Sequence, residues 1–205
     1  MTLLLGVDDA RLQPSADLAT LVTLLDSLTD DAVRLDVRDD MQAFIARHPD
    51  ALHRTCREGH FTGSAIVVDA TAGRVLLLFH AKHQRWLQPG GHADGDANLA
   101  CVALREATEE TGIAGLRIDP DPLDLDVHPI GARPGEPAHL HLDARYLVVA
   151  PPGAVPEGNH ESERLAWFPP DGLDGLGLDA GTHRLVTAGL ARARAALAAE
   201  LVVPD

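Results

Sequence analysis

Glu106, Glu109 and Glu110 fall at i, i+3 and i+4 in the run Leu-Arg-Glu-Ala-Thr-Glu-Glu-Thr-Gly. In a helix, those positions share one face. Three anions crowded there repel one another unless something neutralises them, and an all-oxygen ligand set suits a hard cation such as Mg²⁺ or Mn²⁺. The loop Gln88-Pro89-Gly90-Gly91-His92 feeds directly into this segment, and its glycines allow the backbone to approach a ligand closely. The chemistry suggested is that of a metal-carrying helix placed beside a ligand-accepting loop.

From Gly91 to Ile113 the residues resemble the Nudix box of the Nudix hydrolases: Gly, five residues, Glu, seven residues, Arg-Glu, an aliphatic, any residue, Glu-Glu, any residue, Gly, aliphatic. Gly91, Arg105, Glu106, Glu109, Glu110, Gly112 and Ile113 stand in register. Two positions depart: Ala97 replaces the first Glu, and the aliphatic is the small Ala107. The flanks Trp86-Leu87-Gln88-Pro89-Gly90-Gly91-His92 and Leu165-Ala166-Trp167-Phe168-Pro169 extend the likeness. The resemblance implies metal on Glu106, Glu109 and Glu110 and on the main-chain carbonyl of Gly90. It also implies that Arg105, which is always protonated, orients the carboxylates from behind.

The implied activity is hydrolysis of a diphosphate linkage in a nucleoside-diphosphate-type substrate, in which divalent ions neutralise developing charge and acidify a water. Ala97 removes the usual partner of Arg105, with Asp94 and Asp96 as nearby substitutes. Restoring Glu at 97 is then expected to add stability or activity if Arg105 lacks a partner, and to weaken metal affinity if it has one. Two other readings stay open on the same scaffold. One is a catalytically weakened domain that binds a nucleotide ligand or regulates, and the other is an isoprenoid-diphosphate isomerase.

Outside the box, His139, His141, Asp143 and Arg145 alternate with Leu140, Leu142, Ala144 and Tyr146, which places the four on one face of a strand. They read either as a solvated polar face or as a ligand-facing strand. In the second case His139, His141 and Arg145 touch substrate and Asp143 adds a base or metal ligand. His83 and His92 flank the glycine loop and read as substrate contacts or as packing residues, while Trp86 reads as core or as a base-stacking ring. Glu161 and Glu163 are the candidate general bases outside the box, with a box Glu as the alternative.

The elements that must hold these residues follow from periodicity. Leu18, Leu21, Val22, Leu25 and Leu28 recur at helical spacing behind Ser15 as N-cap, and Met41, Phe44 and Ile45 mark a second helix behind Asp39-Asp40 that stops near Pro49. Ala65–Asp69 and Val75–His80 read as a hairpin of buried strands around Thr71-Ala72-Gly73. The box helix is expected to be capped at its start by Asp96 and stopped by Gly112; further strands are predicted over 123–130, 139–149 and 165–168, and a last helix over 183–201. Fourteen prolines and 18 glycines lengthen the loops. Without a strict βαβα repeat the fold class is α/β with a mixed sheet. The resemblance implies a Nudix-like α/β/α sandwich over 58–205. The apolar stripe before it marks a helical N-terminal extension over 1–57, expected to pack on the same chain and help wall the cleft, with a homodimer contact as a further role.

The chain of 205 residues can bury a substantial core. Its formal net charge of −14 argues against a nucleic-acid polymer or an anionic membrane as partner and favours a small nucleotide or diphosphate bridged by cations. Cys56 and Cys101 make no disulfide framework, and Cys101, inside the box helix, reads as a buried thiol. Leu3–Val7 is too short for a signal peptide and no run reaches the ~20 apolar residues of a membrane span. The cytoplasm is the expected location.

Overall fold

The structure is a computed structural model that describes residues 3–29, 33–82, 84–159 and 162–200. His83, His160 and Glu161 lie outside those residues. Thirteen elements follow in order: β1 (Leu5–Gly6), α1 (Leu18–Ser27), α2 (Leu35–Arg47), β2 (Gly59–Val68), β3 (Val75–His80), β4 (Arg85–Leu87), β5 (Gly90–His92), α3 (Leu99–Thr111), β6 (Arg117–Ile118), β7 (Asp124–Ile130), β8 (His139–Val149), β9 (Ser162–Phe168) and α4 (Ala180–Glu200).

The nine strands form one mixed sheet along β1-β6-β8-β2-β3-β4, with β5 on β2, β7 on β8 and β9 on β3. The long central pair, β2 and β8, runs parallel from Gly59↔Leu140 to Val68↔Val149, while the other pairings are antiparallel. Pro129 falls in β7 without disrupting the ladder, because β7 pairs on one side only and an edge strand tolerates a missing donor.

Every residue of β2 is buried, which a strand covered on both faces requires. Alternation divides its side chains between two cores. Phe61, Ala65 and Val67 join Leu99, Val102 and Ala103 of α3. Ile66 and Val68 join Leu185, Val186 and Leu190 of α4. This is a helix–sheet–helix sandwich, as expected. Gly63 lets α3 lie close to the sheet: a Cβ there would stand 2.7 Å from the Leu99 carbonyl oxygen.

The N-terminal segment shares the first core. Leu21 and Leu25 of α1 and Met41 of α2 are fully buried with Phe61 and Leu99. The caps differ from those expected. Asp17, not Ser15, caps α1, accepting from the Ala19 amide at 2.9 Å. The second helix starts at Leu35, four residues before Asp39, because its buried stripe of Met41, Phe44 and Ile45 continues back to Val37. Asn98 caps α3 by accepting from the Cys101 amide. Asp96 instead accepts from the amides of Ser15 and Asn98, both at 2.9 Å, and so fastens the N-terminal segment to the start of α3. Gly112 ends α3 in the left-handed conformation (φ 65°), as its position predicts. No helix among the described residues is long and apolar enough to cross a membrane.

Candidate active site

On the α4 face of the sheet, beyond the start of that helix, the chain leaves a cleft of about 860 Å³. Its floor is Thr62 and Ser64 of β2 with His141, Asp143 and Arg145 of β8, its rim includes Lys82, Arg85, Arg133 and Arg54, and Gly90–His92 of β5 bring Glu106 and Glu110 of α3 to its edge. The same lining carries the carboxylates of Asp126, Glu136 and Asp179, so basic and acidic groups face one opening.

The contact between α3 and the glycine loop is tight. Glu110 is buried and its Oε2 accepts from the Gly90 amide at 2.8 Å. A Cβ on Gly91 would meet the Glu106 carboxylate at 2.4 Å, so only glycine leaves that carboxylate its place. Arg105 donates from Nη2 to Glu106 at 3.0 Å and to the His92 carbonyl at 3.3 Å. Glu109 is exposed and lines a second, shallower groove with Arg105, Glu106, Asp94 and Pro14–Ala16. Glu106 lines both. The donors are all carboxylate oxygens borne on one helix beside backbone carbonyls of a glycine loop, a set whose chemistry fits a hard divalent cation.

Ala97 is 1% exposed and belongs to the core around Leu99. Asp94 is bound by Arg54 through two bonds of 2.8 and 2.6 Å, and Asp96 by Ser15 and Asn98. Arg105 therefore finds its carboxylate in Glu106, and neither proposed substitute makes a direct bond to it.

The alternating quartet of β8 divides. Arg145 is 5% exposed and donates to Asp143 (2.8 Å) and Asp126 (2.9 Å), with Asp124 at 3.5 Å. Asp143 is also buried and accepts from Thr62 (3.0 Å) and Ser64 (2.8 Å). Burial opposes charge on Asp126, yet its bond with His128 and the Arg145 guanidinium hold it down to about 2. Arg145 and Asp143 thus form a neutralised ionic wall, with the Arg145 charge committed to aspartates.

His139 is buried and does not line the cleft. It stacks on His60 at 4.7 Å between ring centres. His92 and His141 do line the cleft. Burial, reinforced by Arg54, pushes the His92 imidazole down to about 4. Burial and the neighbouring histidines push His141 down further. Both rings are neutral at pH 7.

Glu163 is exposed, accepts from Gln84 at 2.9 Å, and does not line the cleft. Trp86 is partly buried and packs edge-on against Phe79 and Phe168, beneath the Arg164 guanidinium, at the margin of the second core. Cys101 is half-buried, less than the sequence suggested. Sequence reasoning missed His60, Thr62 and Ser64. Their alternation with Phe61, Gly63 and Ala65 carried the signal, but the strand was expected to begin only at Ala65.

Residues 59–188 match the family model described as NUDIX domain. Among solved structures, the E. coli dihydroneopterin triphosphate pyrophosphohydrolase aligns with TM-score 0.52 and 16% identity over 64% of this chain and 95% of that one. A C. elegans Ap4A hydrolase, solved as a binary complex, aligns with TM-score 0.50 and 20% identity over 68% and 98% respectively. At such identities these likenesses bear on the fold alone. No curated protein matches the chain.

Proposed function

The chain belongs to the Nudix hydrolase family, and on that premise we propose that it hydrolyses a diphosphate linkage in a nucleoside-diphosphate-type substrate with Mg²⁺ or Mn²⁺ held by Glu106, Glu109 and Glu110. The observation that carries this reading is the junction of α3 with the glycine loop: Glu110 bonded to the Gly90 amide and Glu106 lodged against Gly91 at the edge of the cleft. When bound, the ion supplies charge neutralisation on the phosphorus oxygens and lowers the pKa of water.

The chain's own residues supply the rest. Arg105 holds the Glu106 carboxylate through its 3.0 Å bond and spans to the His92 carbonyl, which keeps helix and loop in register. Lys82, Arg85 and Arg133 stand on the lining where the proposed substrate phosphates enter, while Arg54 is engaged by Asp94 and Arg85 lies 3.8 Å from Asp179. Water attacks phosphorus, the phosphorus–oxygen bond of the anhydride breaks, and a nucleoside monophosphate leaves with the remaining phosphorylated group. Glu163 is bonded to Gln84 away from the cleft lining, and the helix carboxylates at the cleft edge are the proposed acceptors of the water's proton.

The Arg105–Glu106 pair supports the catalytic reading over the non-catalytic one that Ala97 suggests. Nucleotide sugars, dinucleoside polyphosphates, NADH, ADP-ribose and oxidised nucleoside triphosphates form the test panel. Metal-dependent release of nucleoside monophosphate from one of them supports hydrolysis. Binding without turnover would favour a regulatory domain, and rearrangement of an isoprenoid diphosphate an isomerase.

A further inference from the structure

We propose that His60, His92 and His141 form a second cation site, of imidazole character, that takes a zinc-like transition-metal dication beside the carboxylate centre. Each residue offers a ring nitrogen, and the three nitrogens lie within 4.8 Å of one another. The ring centres make a nearly equilateral triangle: 5.0 Å between His60 and His92, 5.1 Å between His60 and His141, and 5.0 Å between His92 and His141.

The backbone dictates this triangle. His60 and His141 are direct neighbours in the parallel β2–β8 ladder, and His92 stands opposite Thr62, two residues from His60 along β2. Directly paired residues project to the same sheet face. Adjacent strands lie about 4.7–4.9 Å apart, so three imidazoles on three neighbouring strands converge without a special loop. Tetrahedral zinc with nitrogen ligands at about 2.0–2.1 Å needs ligand atoms roughly 3.3 Å apart, which small side-chain rotations within the triangle supply.

A second observation points to a ligand. His60 is 3% exposed, and neither of its ring nitrogens makes a hydrogen bond, although the Cys56 backbone is near enough to favour its protonated form. Buried polar atoms ordinarily have partners. The two further histidines nearby are engaged through one nitrogen each, His139 Nδ1 with the Pro137 carbonyl and His128 Nδ1 with Asp126, both at 2.9 Å; the buried His139 Nε2, like both nitrogens of His60, makes no hydrogen bond.

The ligand set selects its cation. Imidazole nitrogens suit Zn²⁺, Co²⁺ and Ni²⁺, whereas Mg²⁺ prefers the oxygen donors of α3. His60 closes the site from within the sheet, and His92 and His141 line the cleft. Three protein ligands with a fourth position toward a cleft is the arrangement of a zinc site open to water or substrate. This assignment stands independently of the carboxylate centre.

The test uses the full chain, stripped with chelator and dialysed into excess Mg²⁺, then titrated with Co²⁺ followed by visible absorption and displaced by Zn²⁺. One equivalent of Co²⁺ should bind with ligand-field bands of a nitrogen environment. His92→Gln and His141→Gln, with unchanged circular dichroism, should each weaken binding by about a hundredfold or more, beyond the 10–100-fold typical of losing an outer-shell partner. Glu106→Gln should leave Co²⁺ affinity within about threefold of the parent, the imidazole set being intact. If one histidine variant does not fold, the other decides. Absence of stoichiometric uptake would overturn the proposal, as would parental affinity in a folded histidine variant or loss of binding in Glu106→Gln. A thiolate-to-cobalt charge-transfer band would also overturn it, by placing the ion at His48, Asp50 and Cys56.

Discussion

The Glu110 carboxylate and the Gly90 amide are joined by a 2.8 Å hydrogen bond. This bond ties the last turn of α3 to β5, and so fastens the acidic helix to the glycine loop. Glutamine at 110 would keep an acceptor for that amide while removing the charge. Glu106→Gln and Glu110→Gln should therefore fold as the parent does and lose about a hundredfold or more in metal-dependent turnover, the scale of deleting one preorganised electrostatic group. Steady-state kinetics with circular dichroism checks this.

Gly91→Ala and Gly90→Ala should fail in different ways. A Cβ at 91 meets the Glu106 carboxylate, the free end of a side chain, whereas at 90 it meets Ser64 Cβ at 2.4 Å and the Gly63 carbonyl at 3.1 Å, which belong to the sheet. The first variant should retain its melting temperature and lose about a hundredfold in turnover, as misplacement of a reacting group by about 1 Å does. The second should lose stability as well, and paired melts and rates would separate them.

Ala97→Glu should destabilise the chain by about 3 kcal/mol or more, the order of an uncompensated buried charge. The sequence alone left two outcomes open, a gain if Arg105 lacked a partner and weaker metal binding if it had one. Burial of Ala97 at 1% exposure and the Arg105–Glu106 pair remove the ground for a gain. Denaturant unfolding of the two proteins gives the sign.

Stability of metal-free protein should fall as pH is lowered from about 6.5 toward 4. His92 stays neutral in the fold down to about 4 against an ordinary value of 6.5, with His60 and His141 shifted the same way by burial. Unfolded chains bind protons there first, so the contribution is complete above 6.5 and lost below it. Asp126, held at about 2 against 3.8, contributes only to losses at still lower pH. Unfolding midpoints at pH 7.5 and 5 should differ less in His92→Gln than in the parent.

Leu25→Ala in α1 should cost about 2–5 kcal/mol, as for other fully buried leucines. Removing residues 1–57 should leave a poorly soluble protein, because Leu21, Leu25 and Met41 pack with Phe61 and Leu99 in one core. A truncated chain that melts like the parent would make the segment dispensable.

The box helix was legible because its chemistry and its packing are both local. Glu106, Glu109 and Glu110 declare themselves by spacing, and Gly112 by the turn that only glycine makes easily. The strand pairing was not legible. Nothing near His60 announces His141 as its neighbour, since parallel pairing of β2 and β8 joins residues 81 positions apart. For the same reason the Arg145 cluster read as a possible ligand face, although Asp124 and Asp126 of β7 neutralise it in the fold. Asp96 was mistaken for a helix cap because its partner, the Ser15 amide, comes from the distant N-terminal segment.

The central claim is tested most directly by hydrolysis in ¹⁸O-labelled water. Purified chain with Mg²⁺ or Mn²⁺ should release nucleoside monophosphate from a member of the panel, with one label on phosphorus in one of the two products. Chelation should abolish the reaction, and Glu106→Gln should slow it by about a hundredfold or more. Absence of labelled product from every substrate with either metal, or undiminished turnover in Glu106→Gln, would contradict it.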